Sequence, residues 1–165
     1  VHGTRPFWHA VEEAHEAMKT AKRKPRKDPE EEGGWGRDAW AISILKRSGE
    51  PQRSGGKWFY GNFDVWKDFQ DLAALFKKGL SPRFIHQMQG MAEGMKGVPV
   101  EAMEDVLKTL LERREGLTAE DAGKLKELKI SRWFGKLPEK APLDRWSQVL
   151  EWLRLVHFLV RGERG

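Results

Sequence analysis

Six cations stand within nine residues: Lys19, Lys22, Arg23, Lys24, Arg26 and Lys27. The run then turns acidic at Asp28, Glu30, Glu31 and Glu32. Positive charge packed this tightly at one end of an element raises a local potential that suits a chain of phosphates. Two later segments offer a related chemistry. Lys57-Trp58-Phe59-Tyr60-Gly61 and Arg132-Trp133-Phe134-Gly135-Lys136 each set a cation beside paired aromatics and a glycine. A single strand of nucleic acid is held by such parts: a flat ring to stack a base, a cation for the phosphate, and a backbone that can come close. The plainer reading of each is that its aromatics fill a groove between helices while the cation faces water.

Other constellations carry less. His9, Glu12, Glu13, His15 and Glu16 include one Glu-x-x-His pair, Glu12 and His15, at helical spacing. A carboxylate-bridged di-metal site needs that pair twice, on facing helices, and the chain has no second copy. A solvated helix surface accounts for these residues. Gly55-Gly56-Lys57 resembles the end of a phosphate-binding loop, but Pro51 stands where its first glycine belongs and Trp58 follows the lysine. With no cysteine in the chain, thiol catalysis, disulfides and cysteine-based zinc sites are excluded. His86 and His157 lack a serine and aspartate arrangement, so nucleophilic catalysis has no support. The expectation is therefore no enzyme, no metal and no cofactor. Leu80-Ser81-Pro82-Arg83 has the form of the turn in a helix-turn-helix, with Arg83, His86, Gln87 and Gln89 at the start of a reading helix. A plain helical hairpin has the same form.

These residues need elements to position them, and the spacing is helical almost throughout. Thr4 and Pro6 open a first helix on which Phe7, Val11, Ala14, Met18 and Ala21 form one stripe, expected to face the core. Pro25 stops it. Residues 25–36 read as a loop or arm. A short helix is expected over 37–47, carrying Trp40, Ala41, Ile44 and Leu45, followed by a glycine-rich loop over 49–61. Asn62 is expected to cap a helix with Val65, Trp66, Phe69, Leu72, Ala73 and Phe76 inward. Further helices start after Ser81-Pro82, at Pro99, near Thr118 and near Pro142. The last is apolar all round, which makes it either central to its own domain or pressed on another chain. In the second case Trp152, Leu155, Phe158 and Leu159 would form a subunit interface. The expected fold is all-α: one compact bundle of six to seven short helices, with an extended basic N-terminal helix and arm and two glycine-rich loops. Residues 1–61 would be the N-terminal part and 62–165 the helical core.

Composition bounds the partners. The 165 residues suit one domain with a single core. A net charge of +5, with a pI near 9.5, sits at the level where a polyanionic partner becomes a fair expectation. The first six residues lack the apolar core of a signal peptide, and no window holds the roughly 20 apolar residues that cross a bilayer. The reading is a soluble intracellular protein with no membrane partner and no small-molecule substrate. The function expected is sequence-independent nucleic-acid binding by a helical module within a larger nucleoprotein assembly, joined to other protein subunits. Its phosphate and base contacts would come from Lys19, Lys22, Arg23, Lys24, Arg26, Lys27, Arg37, Lys46, Arg47, Arg53, Lys57, Trp58, Arg83, Arg132, Trp133 and Lys136. The alternative is a protein–protein adaptor whose exposed aromatics anchor a partner without nucleic acid.

Overall fold

The computed structural model describes residues 7–23, 35–46, 51–60, 63–78, 80–112, 120, 133–134, 137 and 144–162. The chain divides into two compact units, one of residues 1–63 with 139–142 and the other of 64–138 with 143–165. The expected all-α bundle is not what forms. Among the described residues five α-helices are accompanied by an antiparallel two-stranded sheet and a second pair of short strands.

The first unit opens with α1 (Phe7–Lys22), rich in alanine, and residues 39–57 supply a hairpin of β1 (Ala39–Leu45) and β2 (Pro51–Lys57). The pairing runs from Ala39 opposite Lys57 to Leu45 opposite Pro51. Two short strands, β3 (Phe59–Tyr60) and β4 (Phe63–Asp64), pair next. A helix was expected over 37–47 because Trp40, Ala41, Ile44 and Leu45 fit a helical stripe. Trp40, Ile42 and Ile44 fit strand alternation equally well, and short apolar runs are ambiguous on spacing alone. What decides is the backbone before them: Gly36 (φ 81°) and Asp38 (φ 61°) are left-handed, which blocks helical entry and turns the chain into a strand.

The glycine-rich stretch expected as a loop is β2, and its glycines make room for tryptophan. Trp40 lies opposite Gly56, and a Cβ on Gly55 would stand 2.7 Å from the Trp35 indole nitrogen and 2.8 Å from the Trp40 carbonyl oxygen. Trp35, Trp40, Gly55 and Gly56 are all buried as a result. One face of the hairpin receives α1. Glu13 of α1 accepts two guanidinium nitrogens of Arg53 (2.9–3.0 Å) and the hydroxyl of Ser43 (2.9 Å). Ala17 and Ala21 are the buried side chains of α1, small enough to let the helix close on the strands. The stripe expected to face the core does not. Phe7, Val11 and Met18 are 77, 41 and 44% exposed, so α1 turns its larger apolar residues outward.

The second unit is helical. The cap of α2 (Val65–Lys77) is Asp64 rather than Asn62: the Asp64 Oδ1 accepts the Lys67 amide (2.9 Å). This helix buries Val65, Phe69, Leu72, Leu75 and Phe76. α3 (Arg83–Gly90) buries Phe84, Ile85 and Met88, and a 3₁₀ turn (Glu93–Met95) leads to α4 (Val100–Glu112), with Met103 and Leu107 inside. α5 (Arg145–Gly162) is capped by Asp144, which accepts both the amide and the hydroxyl of Ser147 (3.0 and 2.6 Å). α5 is the centre of this unit, with Trp146, Val149, Trp152, Leu153, Leu155 and Val156 all buried. Tryptophans assemble the core around it. Trp152 meets Phe69 and Trp133 edge-on, both at 5.5 Å between centroids, and Trp146 stacks on Phe134 at 5.5 Å. Buried indole N–H groups need acceptors. Trp146 donates to the Met88 carbonyl (2.9 Å) and Trp133 to Asp68.

This core strains two acids: burial raises the Asp68 carboxyl above its ordinary value despite the Trp133 hydrogen bond, and it acts on Glu151 as well. Burial pushes the Glu151 carboxyl on α5 up to about 7, opposed by the Arg154 guanidinium and helped by the Asp144 charge. A carboxyl whose pKa rises on folding binds its proton more tightly in the folded state. Its stabilising contribution is complete below the ordinary value of 4.5 and is lost as pH rises through 7. The span corresponds to roughly 3 kcal/mol. Glu151→Gln is therefore expected to flatten the fall in thermal stability between pH 5 and pH 8. Equal falls in the variant and the original chain, by calorimetry at both pH values, would remove Glu151 from this account.

Candidate nucleic-acid interface

Three short stretches of the first unit come together where α1 ends. The Gly36 amide donates to the Arg23 carbonyl (2.7 Å), which returns the chain to the last turn of the helix. Asp38 then directs it into β1, and its carbonyl accepts the Trp58 amide (3.2 Å). Lys57 stands opposite Ala39 at this end of the hairpin. Lys22, Arg23, Arg37 and Lys57 are thereby gathered around one end of the unit, with Trp58 beside them at 39% exposure. An open groove there is lined by Met18, Ala21, Lys22, Arg37, Asp38 and Ala41. Lys22 and Arg37 are exposed and have no ion-pair partner among the described residues.

Cations at a helix C-terminus are locally favourable, because the last carbonyls carry partial negative charge. This gives Lys22, in the last turn of α1, a structural footing. Asp38 is the acid in the groove lining, and sequence reasoning missed it. The signal was there: an aspartate two residues after a glycine, ahead of a β-prone run, commonly takes the left-handed conformation.

The other candidate cations lie elsewhere. Lys19 is exposed but bridged to Glu16, and that hydrogen bond and charge hold the Glu16 carboxyl below the ordinary carboxylate value. Arg53 is committed to Glu13 on the α1 face of the hairpin. Lys46 follows Leu45, at the opposite end of the hairpin from Lys57. Arg83 is exposed at the start of α3 in the second unit, as are His86, Gln87 and Gln89. Lys24, Arg26, Lys27, Arg47, Arg132 and Lys136 lie outside the described residues.

The twin aromatic motifs part company. Trp58 and Phe59 are 39 and 59% exposed, within reach of a base. Trp133 and Phe134 are 1 and 0% exposed, held in the core by Asp68, Trp152 and Trp146. The expectation that Trp133 stacks a base is therefore corrected: its ring faces are already occupied by protein. The last helix divides in the same way. Trp152 and Leu155 are buried within their own unit, whereas Phe158 and Leu159 are 47 and 45% exposed. Among the described residues no group of histidines and carboxylates has the spacing to hold a metal ion, and no helix is long and apolar enough to cross a membrane. Comparison with protein-family models, with curated proteins and with solved structures gave no match for the chain.

Proposed function

We propose that this chain is a nucleic-acid-binding module that grips the phosphate backbone without reading sequence, as one subunit of a larger nucleoprotein assembly. The observation that supports it is the gathering of Lys22, Arg23, Arg37 and Lys57 around an exposed Trp58. Cations held at fixed spacing neutralise successive phosphates, and phosphate contacts position a strand without selecting its bases. Trp58 adds a stacking face, which every base can use and only an unpaired base can reach. The expected ligand is thus a single strand. Lys24, Arg26 and Lys27 follow directly in sequence.

The test is binding to single- and double-stranded oligonucleotides over a salt series. Four phosphate contacts give a slope of log affinity against log salt of roughly −3 for a single strand. Trp58→Ala is expected to weaken single-strand binding by about 1–3 kcal/mol and duplex binding far less. An affinity unchanged between low and high salt overturns the proposal.

A further inference from the structure

Asp38 is an acid in a groove that would hold phosphates better without it. The groove at the end of α1, with a volume of about 750 Å³, sets Lys22, Arg37 and Asp38 along an apolar wall of Met18, Ala39 and Ala41. Its size falls within the roughly 300–1,000 Å³ of small-ligand sites. Asp38 is exposed, and its carboxylate has no hydrogen-bond or ion-pair partner among the described residues, Lys22 and Arg37 included. Its backbone does not ask for the charge, since glycine or asparagine would serve as well at φ 61°. What the aspartate adds is a charged hydrogen-bond acceptor, placed where it repels any ligand that offers phosphate alone. Such an acceptor favours a ligand with a hydrogen-bond donor beside its phosphates.

We infer that the bound strand is RNA, with a ribose 2′-hydroxyl donating to the Asp38 carboxylate while Lys22 and Arg37 take the neighbouring phosphates. The inference rests on the phosphate-gripping function proposed above and names its ligand. Arg37 and Asp38 are successive residues lining one groove, so the groups they bind are neighbours on the ligand too. In RNA the 2′-hydroxyl sits on the carbon next to the one esterified to the 3′-phosphate, whereas the N–H edges of the bases project away from the backbone. The Asp38 carbonyl accepts the Trp58 amide (3.2 Å), which holds the residue proposed to stack a base beside the residue that takes its sugar. The apolar wall suits the carbon face of the ribose. DNA offers the same phosphates but leaves Asp38 without a donor. Every ribonucleotide carries the hydroxyl, so this contact selects RNA without reading sequence.

The test measures binding of the full chain, over a salt series, to three short uracil oligomers that differ only at the 2′ position: ribo, deoxy and 2′-fluoro. The fluoro strand keeps the sugar pucker of RNA and has no hydroxyl to donate. The ribo strand is expected to bind about tenfold or more tighter than either of the others, as a hydrogen bond to a charged group would give. Asp38→Gly, which suits the left-handed backbone, should bring these ratios close to one. It should also raise affinity for the deoxy strand, because a negative charge leaves the groove. A residue that only shaped the turn would produce neither change. Equal affinity for ribo and deoxy strands, with a steep salt slope, overturns the inference and leaves the phosphate grip standing. Equal binding of ribo and 2′-fluoro strands, both above deoxy, assigns the preference to sugar pucker and overturns it as well. So does a ribo preference that survives Asp38→Gly, which places hydroxyl recognition elsewhere. Tighter binding of a deoxy strand once a guanine is introduced assigns Asp38 to a base edge instead. Salt-independent binding of all three strands removes the phosphate-gripping function itself, and the choice of RNA with it.

Discussion

Trp146→Ala is expected to bring the helical unit close to its unfolding threshold, while Trp66→Ala leaves it almost unchanged. Trp146 is fully buried, stacks on Phe134 and donates its indole N–H to the Met88 carbonyl, linking α5 to α3. Truncating an indole in such a place removes its transfer free energy and leaves a cavity that a tightly packed core fills only in part, a loss of about 3–5 kcal/mol. The Met88 carbonyl also loses its donor, adding about 1–3 kcal/mol if it stays buried. Against a total stability of about 5–15 kcal/mol for a domain, little remains. Trp66 sits on the outer side of α2 at 40% exposure, and its removal falls within about 1 kcal/mol. Trp146→Phe separates the two contributions, since it keeps a ring for Phe134 and gives up the hydrogen bond. Urea titration followed by circular dichroism measures all three. Equal midpoints for Trp146→Ala and Trp66→Ala would mean that the tryptophan core does not hold this unit together.

The helical half of the fold is legible in the sequence because its signals agree with one another. Val65, Phe69, Leu72 and Phe76 keep one stripe, Pro82 and Pro99 mark where helices begin, and an all-round apolar helix in so short a chain belongs at a centre. The first unit is illegible for a reason internal to the chain. Trp40-Ala41-Ile42-Ser43-Ile44-Leu45 satisfies both periods, and the glycines of β2 imitate a loop because the bulk that covers them, Trp35 and Trp40, comes from elsewhere. The orientation of α1 misleads in a similar way. Side-chain size suggests that Phe7, Val11 and Met18 go inside. Hydrogen bonding decides otherwise, since Glu13 reaches Ser43 and Arg53 only if the face of Ala17 and Ala21 meets the strands. The cationic run was visible as composition. The approach of Lys22 and Arg23 to Arg37 and Lys57 depends on a strand pairing that period analysis did not find.

Reversing the four converging charges, as Lys22→Glu with Arg23→Glu, Arg37→Glu and Lys57→Glu, is expected to abolish measurable binding to a single strand at moderate salt. Each neutralised phosphate contributes about 0.7 to the salt slope, so the residual slope should fall by about 3. Affinity should drop by roughly 10³ or more, since reversal replaces attraction with repulsion at four adjacent phosphates. Net charge alone would also weaken binding, and a matched control separates the two effects. Lys67, Lys77, Lys96 and Lys108 lie on the exposed surface of the second unit, and three of them are held in ion pairs with Asp71, Glu93 and Asp105. Reversing these four changes the overall charge by the same amount and leaves the end of α1 intact. The control is expected to lose far less affinity and to keep its salt slope. Equal losses in the two variants would mean that a general positive charge attracts the polyanion, and that the gathering of Lys22, Arg23, Arg37 and Lys57 has no part in holding it.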